Sequence, residues 1–204
     1  MAKDEQGTAT QRRRDELVVA AAEIFHRKGY DATSMQEIAE AVGMLKGSLY
    51  YYIDTKEDLL FAVIEKAHRL GSDGLALSAA EGGDALTQLR RTVIIHMRNN
   101  LEHLEEIGVF FQDFRSLSPE RRGTIVAERD SYERFFRGLI EQGQQEGTID
   151  PKVDPKLATK ALLGMINWVY QWYRPDGPRP SEEIAEAFAE IALAGIAAPP
   201  TGSD

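Results

Sequence analysis

The chain has 204 residues, no cysteine and a formal net charge of −9. Disulfides, thiol catalysis and cysteine-based zinc sites are excluded, and the ordinary apolar content is that of a globular chain rather than a disordered one. No apolar stretch approaches the ~18 residues of a membrane span, and no apolar run follows the polar opening MAKDEQGTATQRRRDE, so neither membrane insertion nor a signal peptide is expected and the expected location is cytoplasmic.

Proline and glycine are scarce inside long periodic segments, and no segment sustains a period of two, so the expected fold class is all-α. Residues 1–10 read as a flexible tail. A first helix runs from about Arg12 to Lys28 with Leu17, Ala20, Ala21, Ile24 and Phe25 as its apolar stripe, and Gly29 suits its C-terminal end. Ser34 with Glu37 fits a capping box for a second, short helix that buries Met35, Ile38, Ala39 and Val42 and stops at Gly43. A third covers about Lys46 to Tyr52. Thr55 with Asp58 caps a fourth, which continues to about Leu70 ahead of a Gly/Ser/Ala-rich stretch, residues 71–83, read as a weak helix end plus a loop.

A fifth helix carries Leu86, Leu89, Val93, Ile94 and Met97 and breaks near Asn99–Asn100. A sixth carries Leu104, Ile107, Phe110, Phe111 and Phe114. Ser118-Pro119-Glu120 and Asp154-Pro155 start the next two helices. Pro175–Pro180 is a turn, Ser181 caps the last helix, and the chain is expected to fray from Pro199.

The segment from Thr33 to Ile53 is a capped helix, a glycine turn and a second short helix. Ile38, Ala39, Val42, Leu49 and Ile53 close a small core, which leaves Lys46, Gly47, Ser48, Tyr50 and Tyr51 for an exposed face. This is the layout of a helix-turn-helix, whose second helix enters the major groove of DNA. Small and hydroxylated residues permit close approach to base edges, and Tyr and Lys reach phosphates. The N–H groups near Thr33 and Ser34 suit a phosphate at a helix start. Lys56, whose charge opposes the dipole at the start of its helix, is a further phosphate candidate. Arg12, Arg13 and Arg14 read either as an arm reaching DNA or as a solvated helix start. Residues 1–56 carry 8 Lys/Arg against 9 Asp/Glu and residues 57–204 carry 16 against 24, so the acidity sits mainly outside this segment.

Ala22, Phe25, Gly29, Tyr30, Thr33, Ser34, Glu37-Ile38-Ala39, Gly43, Lys46 through Tyr52 and Lys56-Glu57-Asp58-Leu59-Leu60 together resemble the TetR family of repressors over about residues 11–71. The resemblance implies an N-terminal three-helix DNA-binding domain, here 11–56, and a ligand-binding and dimerisation domain of about six helices, here 57–198. It also implies release of operator DNA when a ligand shifts the spacing of two recognition helices. Leu45 departs from the family's usual Ser or Thr and removes a cap; Ile53 stands in place of Phe and keeps the core apolar. The run from Asn167 to Pro175 resembles a subset of these regulators that sense acyl-CoA thioesters.

Phe61, Met97, Phe110, Phe114, Phe135, Met165 and Trp168 are the candidate lining of an effector cavity between helices, with packing as the plain alternative. Arg121, Arg122 and Arg129 read as a solvated face or as attraction for an anionic ligand. The last two long helices are apolar on more than one side, which fits a two-fold, four-helix interface through Leu162, Ile166, Val169, Ile184, Phe188, Ile191 and Gly195. His26, His68, His96 and His103 lack metal-ligand spacing, and neither a metal nor a cofactor is implied. The expectation is a ligand-responsive DNA-binding repressor acting as a homodimer on double-stranded operator DNA. An activator or a helical interaction protein on the same fold is the alternative. No nucleophile or acid–base constellation supports an enzyme.

Overall fold

The structure, a computed structural model, describes the backbone of residues 2–199 and the side chains of residues 10–199. Its elements are α1 (Ala2–Lys28), α2 (Met35–Ala41), α3 (Lys46–Leu49), α4 (Lys56–Ala80), α5 (Ala85–Glu102), α6 (Leu104–Asp113), a 3-10 turn (Phe114–Ser116), α7 (Pro119–Glu146), α8 (Pro155–Asn167), α9 (Val169–Trp172) and α10 (Ser181–Ala194). Among the described residues there is no strand beyond an isolated bridge of Ile149 with Ala197.

These helices pack as two compact units. One comprises the residues up to His68 together with Leu104–Ile125, the other Arg69–His103 together with the residues from Val126 onward. The first unit buries Leu17, Ala21 and Phe25 of α1, Ile38 and Ala39 of α2, Leu49 of α3, and Leu59, Leu60, Val63 and Ile64 of α4. Val109, Leu117 and Ile125 complete that core. The packing boundary therefore differs from a cut between residues 56 and 57. One long and two short helices offer too little apolar area to form a core alone, so α4, α6 and the start of α7 supply the rest.

Local signals explain the short elements. Gly29 at φ +86 and Gly43 at φ +66 take the left-handed conformation that reverses the chain after α1 and α2. Ser34 and Glu37 form the expected capping box. Thr55 and Asp58 form another: the Thr55 N–H donates to Asp58 Oδ2 at 2.8 Å and the Asp58 N–H to Thr55 Oγ1 at 3.1 Å. Asp154 caps α8 ahead of Pro155.

The second unit packs α5 against α8 and α10 around Leu89, Val93, Met97, Phe136, Ile140, Leu162, Ile166, Ala185 and Ala189. Four expectations need correction here and at the chain start. α1 begins at Ala2, so residues 2–10 lie in a helix and not in a tail. The stretch 71–83 is a helix end plus a short loop as expected, but α4 runs on to Ala80, well past Leu70, because its small residues permit close packing: a Cβ on Gly74 would meet the Ile95 side chain at 2.7 Å. α5 does not break at Asn99–Asn100 but at His103, because Asn100 points into the core. Ser181 lies inside α10, whose cap is Pro180 without a side-chain bond. The fraying expected from Pro199 falls, after that residue, outside the described residues.

Candidate nucleic-acid interface and effector site

The α2–α3 pair is anchored by Met35, Ile38, Ala39 and Leu49, with Ile53 behind them. With Leu49 turned inward, Lys46, Gly47 and Ser48 face outward. Leu45 is 80% exposed, Tyr51 75% and Tyr50 43%. Gly47 has open space where a Cβ would stand. Leu45 caps α3 by backbone geometry only, without a side-chain bond. The helix is shorter than the expected Lys46–Tyr52; residues 50–52 continue as turns, with the Tyr52 N–H donating to the Leu49 carbonyl at 2.9 Å. Tyr52 is half-buried and meets the Tyr51 ring edge-on at 5.1 Å.

Several candidate DNA contacts are instead engaged by the fold. Thr33 is buried; its hydroxyl donates to the Gly29 carbonyl at 2.8 Å and its N–H to the Tyr30 carbonyl at 3.1 Å. The Ser34 N–H donates to Glu37 Oε2 at 2.8 Å. Lys28 and Ser34 hold the Glu37 carboxyl down to about 2, so a phosphate at this helix start would meet a permanent anion. Lys56 donates to the carbonyls of Tyr30 and Thr33, each at 2.9 Å, and of Asp31 at 3.4 Å, and its ammonium lies 4.3 Å from the Tyr30 ring centre. Its three donors thus close the α1–α2 turn. Arg13 pairs with Glu16 and donates to the Val42 carbonyl at 3.0 Å, while Arg12 and Arg14 are exposed.

Charged groups also latch the start of α4 to α7 within the same unit. Arg121 pairs with Asp58 and covers the Phe61 ring, and the Ser118 N–H donates to Glu57 Oε1 at 2.9 Å, which holds that carboxyl below its usual range. Lys66 pairs with the buried Glu106 at 2.7 Å. Arg121 is thus engaged by carboxylates through Nε and Nη2.

The expected dimer residues separate into two groups. Leu162, Ile166, Val169 and Ile184 are buried in their own unit, because they are the inward side of α8, α9 and α10. They are not an open face. Ile191 is 64% exposed, Gly195 is exposed and Phe188 is half-buried. The neighbouring exposed apolar residues are Leu157, Ala161 and Trp168 on or just beyond α8, and Trp172, whose ring stacks on Phe188 at 5.7 Å. Residues 157, 161 and 168 recur at helical spacing, so one side of α8 is apolar and uncovered.

The expected effector lining is likewise divided. Phe61, Phe110 and Phe114 border the first core; Met97, Phe135 and Met165 belong to the second. Trp168 is 60% exposed and lines neither interior.

Sequence reasoning missed a polar cluster inside the second unit. Tyr132 Oη lies 2.6 Å from His96 Nδ1, His96 Nε2 lies 2.8 Å from Asn167 Oδ1, and Asn100 Nδ2 donates to that same oxygen at 3.3 Å. Burial holds His96 down to about 4, hence neutral, and pushes the Tyr132 hydroxyl up. A signal existed: His96 and Asn100 fall on the inward period of α5 set by Leu89 and Val93. Among the described residues there is no grouping of His, Asp and Glu fit for a metal, and no helix is long and apolar enough to cross a membrane.

An all-helical chain with a helix-turn-helix near its N-terminus and a separate helical unit is the architecture of a bacterial one-component regulator. Comparison with known proteins gives the family. The profile of bacterial regulatory proteins of the tetR family matches residues 17–63, and that of the tetracyclin repressor-like C-terminal domain matches residues 82–196. The chain belongs to the TetR family of transcriptional regulators, and its function class is regulation, not catalysis. It is 30% identical over 190 residues to the HTH-type transcriptional repressor KstR2 of Mycolicibacterium smegmatis, covering 90% of each chain. Among solved structures it resembles the TetR family regulator PfmR from Thermus thermophilus, with 35% identity, TM-score 0.81 and coverage of 87% of this chain and 97% of the other. It also resembles AibR solved with isovaleryl coenzyme A and operator DNA, with 32% identity, TM-score 0.77 and coverage of 88% and 97%.

Proposed function

We propose that the protein is a cytoplasmic repressor that binds a palindromic operator as a homodimer and leaves it when a small hydrophobic or acyl-CoA-type effector binds. In this reading residues 11–56 contact DNA, and residues 57–198 dimerise and hold the effector. The observation that carries it is the outward face of Leu45, Lys46, Gly47, Ser48, Tyr50 and Tyr51 on a helix anchored by Leu49. Small residues flanked by a cation and phenols fit a groove lined with phosphates. The uncovered apolar side of α8 and α10 supports a two-fold partner, and two-fold symmetry calls for a palindrome. The likeness to AibR, solved with an acyl-CoA, supports the effector class. By linkage, such an effector binds the DNA-free state more tightly than the DNA-bound one.

The test is selection of bound sequences from random duplex DNA, followed by affinity measurements over a salt series. A palindromic consensus is expected, and Lys46→Ala should shallow the salt dependence by about one unit of slope without lowering the melting temperature. A chain that enriches no sequence would be an interaction protein on the same fold. Transcription that rises with the protein bound would make it an activator.

A further inference from the structure

Two polar groupings lie inside the second unit, and they differ in one respect. Ser78 and Thr92 form a closed pair: their hydroxyls are 2.7 Å apart, and Thr92 donates to the Gln88 carbonyl at 2.7 Å. Every hydrogen there has an acceptor. The cluster of His96, Tyr132, Asn100 and Asn167 is open.

Its proton positions follow from the chemistry of the atoms. An amide oxygen only accepts, so His96 carries its hydrogen on Nε2 and donates it to Asn167 Oδ1. Nδ1 is then an acceptor, and the Tyr132 hydroxyl donates to it. Asn100 donates a second hydrogen to Asn167 Oδ1. The amide oxygen is thereby saturated and the orientation of the Asn167 side chain fixed. Its Nδ2, with two N–H donors, meets no acceptor among the described residues. His96 and Asn100 are buried and Asn167 is half-buried, so the amide stands at the margin of the core, where a ligand can reach it. Asn167 is only half-buried, so water can satisfy this N–H pair until a ligand replaces it. Four residues from three helices that fix one amide by its oxygen and leave its N–H pair facing outward form a pre-oriented hydrogen-bond donor.

The surroundings define that acceptor. The Tyr132 ring lies 5.3 Å and the Phe136 ring 6.0 Å from the His96 ring, and Phe135 and Met165 sit half-buried at the margin of the same core. No charged side chain contributes to the titration of His96 or of Tyr132. A carboxylate or ammonium brought here would lose its hydration and find no counter-charge. An uncharged oxygen on an apolar body fits. Tyr132 also leans on α4: a Cβ on Gly71 would stand 3.3 Å from its ring, so the relay ends against that helix.

We propose that the Asn167 amide, oriented by His96, Tyr132 and Asn100, donates a hydrogen bond to a neutral carbonyl oxygen of the effector, the acyl carbonyl in the case of an acyl thioester. This rests on the effector-responsive reading above. Asn167 is the contact residue; the other three position it.

The experiment crosses the protein with the ligand. Isovaleryl-CoA and octanoyl-CoA are titrated by calorimetry against the wild type and Asn167→Asp, beside the matching S-alkyl-CoA thioethers, which lack only the carbonyl oxygen. Asp keeps an oxygen for His96 and Asn100 and removes the amide donors. The wild type should prefer thioester over thioether roughly tenfold, and Asn167→Asp should show no preference. In 15N-labelled wild-type protein, which needs no variant to fold, the Asn167 side-chain N–H signals should shift with thioester and stay in place with thioether. Equal preference in both proteins, or unmoved Asn167 signals on thioester binding, overturns the carbonyl contact and leaves the acyl-CoA reading intact. Binding of neither thioester overturns both.

Discussion

The two packing units treat polarity differently. In the first, charged side chains hold the turns and junctions: Lys56 closes the α1–α2 turn, Arg13 reaches the end of α2, and Arg121 joins α7 to α4, while the buried Thr33 and Glu106 are held by the Gly29 carbonyl and by Lys66. In the second, Leu157, Trp168 and Ile191 are exposed, while His96, Asn100 and Thr92 are buried. A surface leucine is unremarkable alone; several large exposed apolar side chains on α8 and α10 and a buried polar cluster are not. The first unit offers one shaped polar face. The second presents exposed apolar side chains and keeps a polar cluster in its core, the features on which the proposed partner and effector rest.

The largest expected effect tests the apolar face. If the proposed dimer uses this face, Ile191→Asp should leave only monomer in sedimentation, with far-ultraviolet circular dichroism unchanged, since the residue is exposed. Two half-sites then bind separately, and operator affinity should fall on the order of 100-fold or more. A dimer that survives this substitution would move the interface elsewhere.

Next comes the buried histidine. Its folded value of about 4 lies below the ordinary 6.5 because burial disfavours the imidazolium. The unfolded chain therefore binds the proton first on acidification. The stability this group contributes is present above pH 6.5 and is lost as the pH falls toward 4, by about 3 kcal/mol. Urea unfolding at pH 7 and pH 4 should show that loss in the wild type in excess of the loss in His96→Gln. Identical losses would mean that the ring is not held neutral.

The third effect separates two lysines that composition alone cannot distinguish. Lys56→Met leaves three carbonyls short of a donor and should lower stability by about 1–2 kcal/mol, with the salt slope of operator binding unchanged. Lys46→Ala should do the reverse. If Lys56→Met instead shallows the salt slope and leaves the unfolding midpoint in place, its ammonium serves DNA and not the turn.

This contrast also marks how far the chain could be read without coordinates. Helix starts and stops were legible where one residue dictates them, as at Ser34–Glu37, Gly43 and Asp154-Pro155. Glycine was harder to read where it serves contact and not conformation: Gly71 and Gly74 read as a weak helix end, yet they let α4 run on close to Tyr132 and Ile95. Exposure at the candidate site was legible where it follows from period, as for Tyr51 beside the buried Leu49. It was illegible where a long side chain chooses its partner in three dimensions. Nothing in the order of residues says that Lys56 bends back to Tyr30, or that of the apolar residues at this end of α8 it is Ile166 that goes inward and Trp168 outward.

The smallest predicted effect concerns Leu45, which belongs to the first unit but follows the habit of the second. It is a large apolar side chain, presented to solvent at the entrance of α3, with no capping bond to give up. In the major groove the one apolar group a base offers is the thymine methyl. A leucine there is expected to read it, so that replacing thymine by uracil at one position of each half-site should weaken wild-type binding about 2–5-fold, as one buried methyl contributes somewhat under ~1 kcal/mol. Leu45→Ala should bind the thymine and uracil operators equally, with its stability unchanged. Should uracil be neutral at every position, or should the alanine variant keep the full preference, Leu45 reads no base. The exposure of Leu45 would then have to be explained by contact with protein.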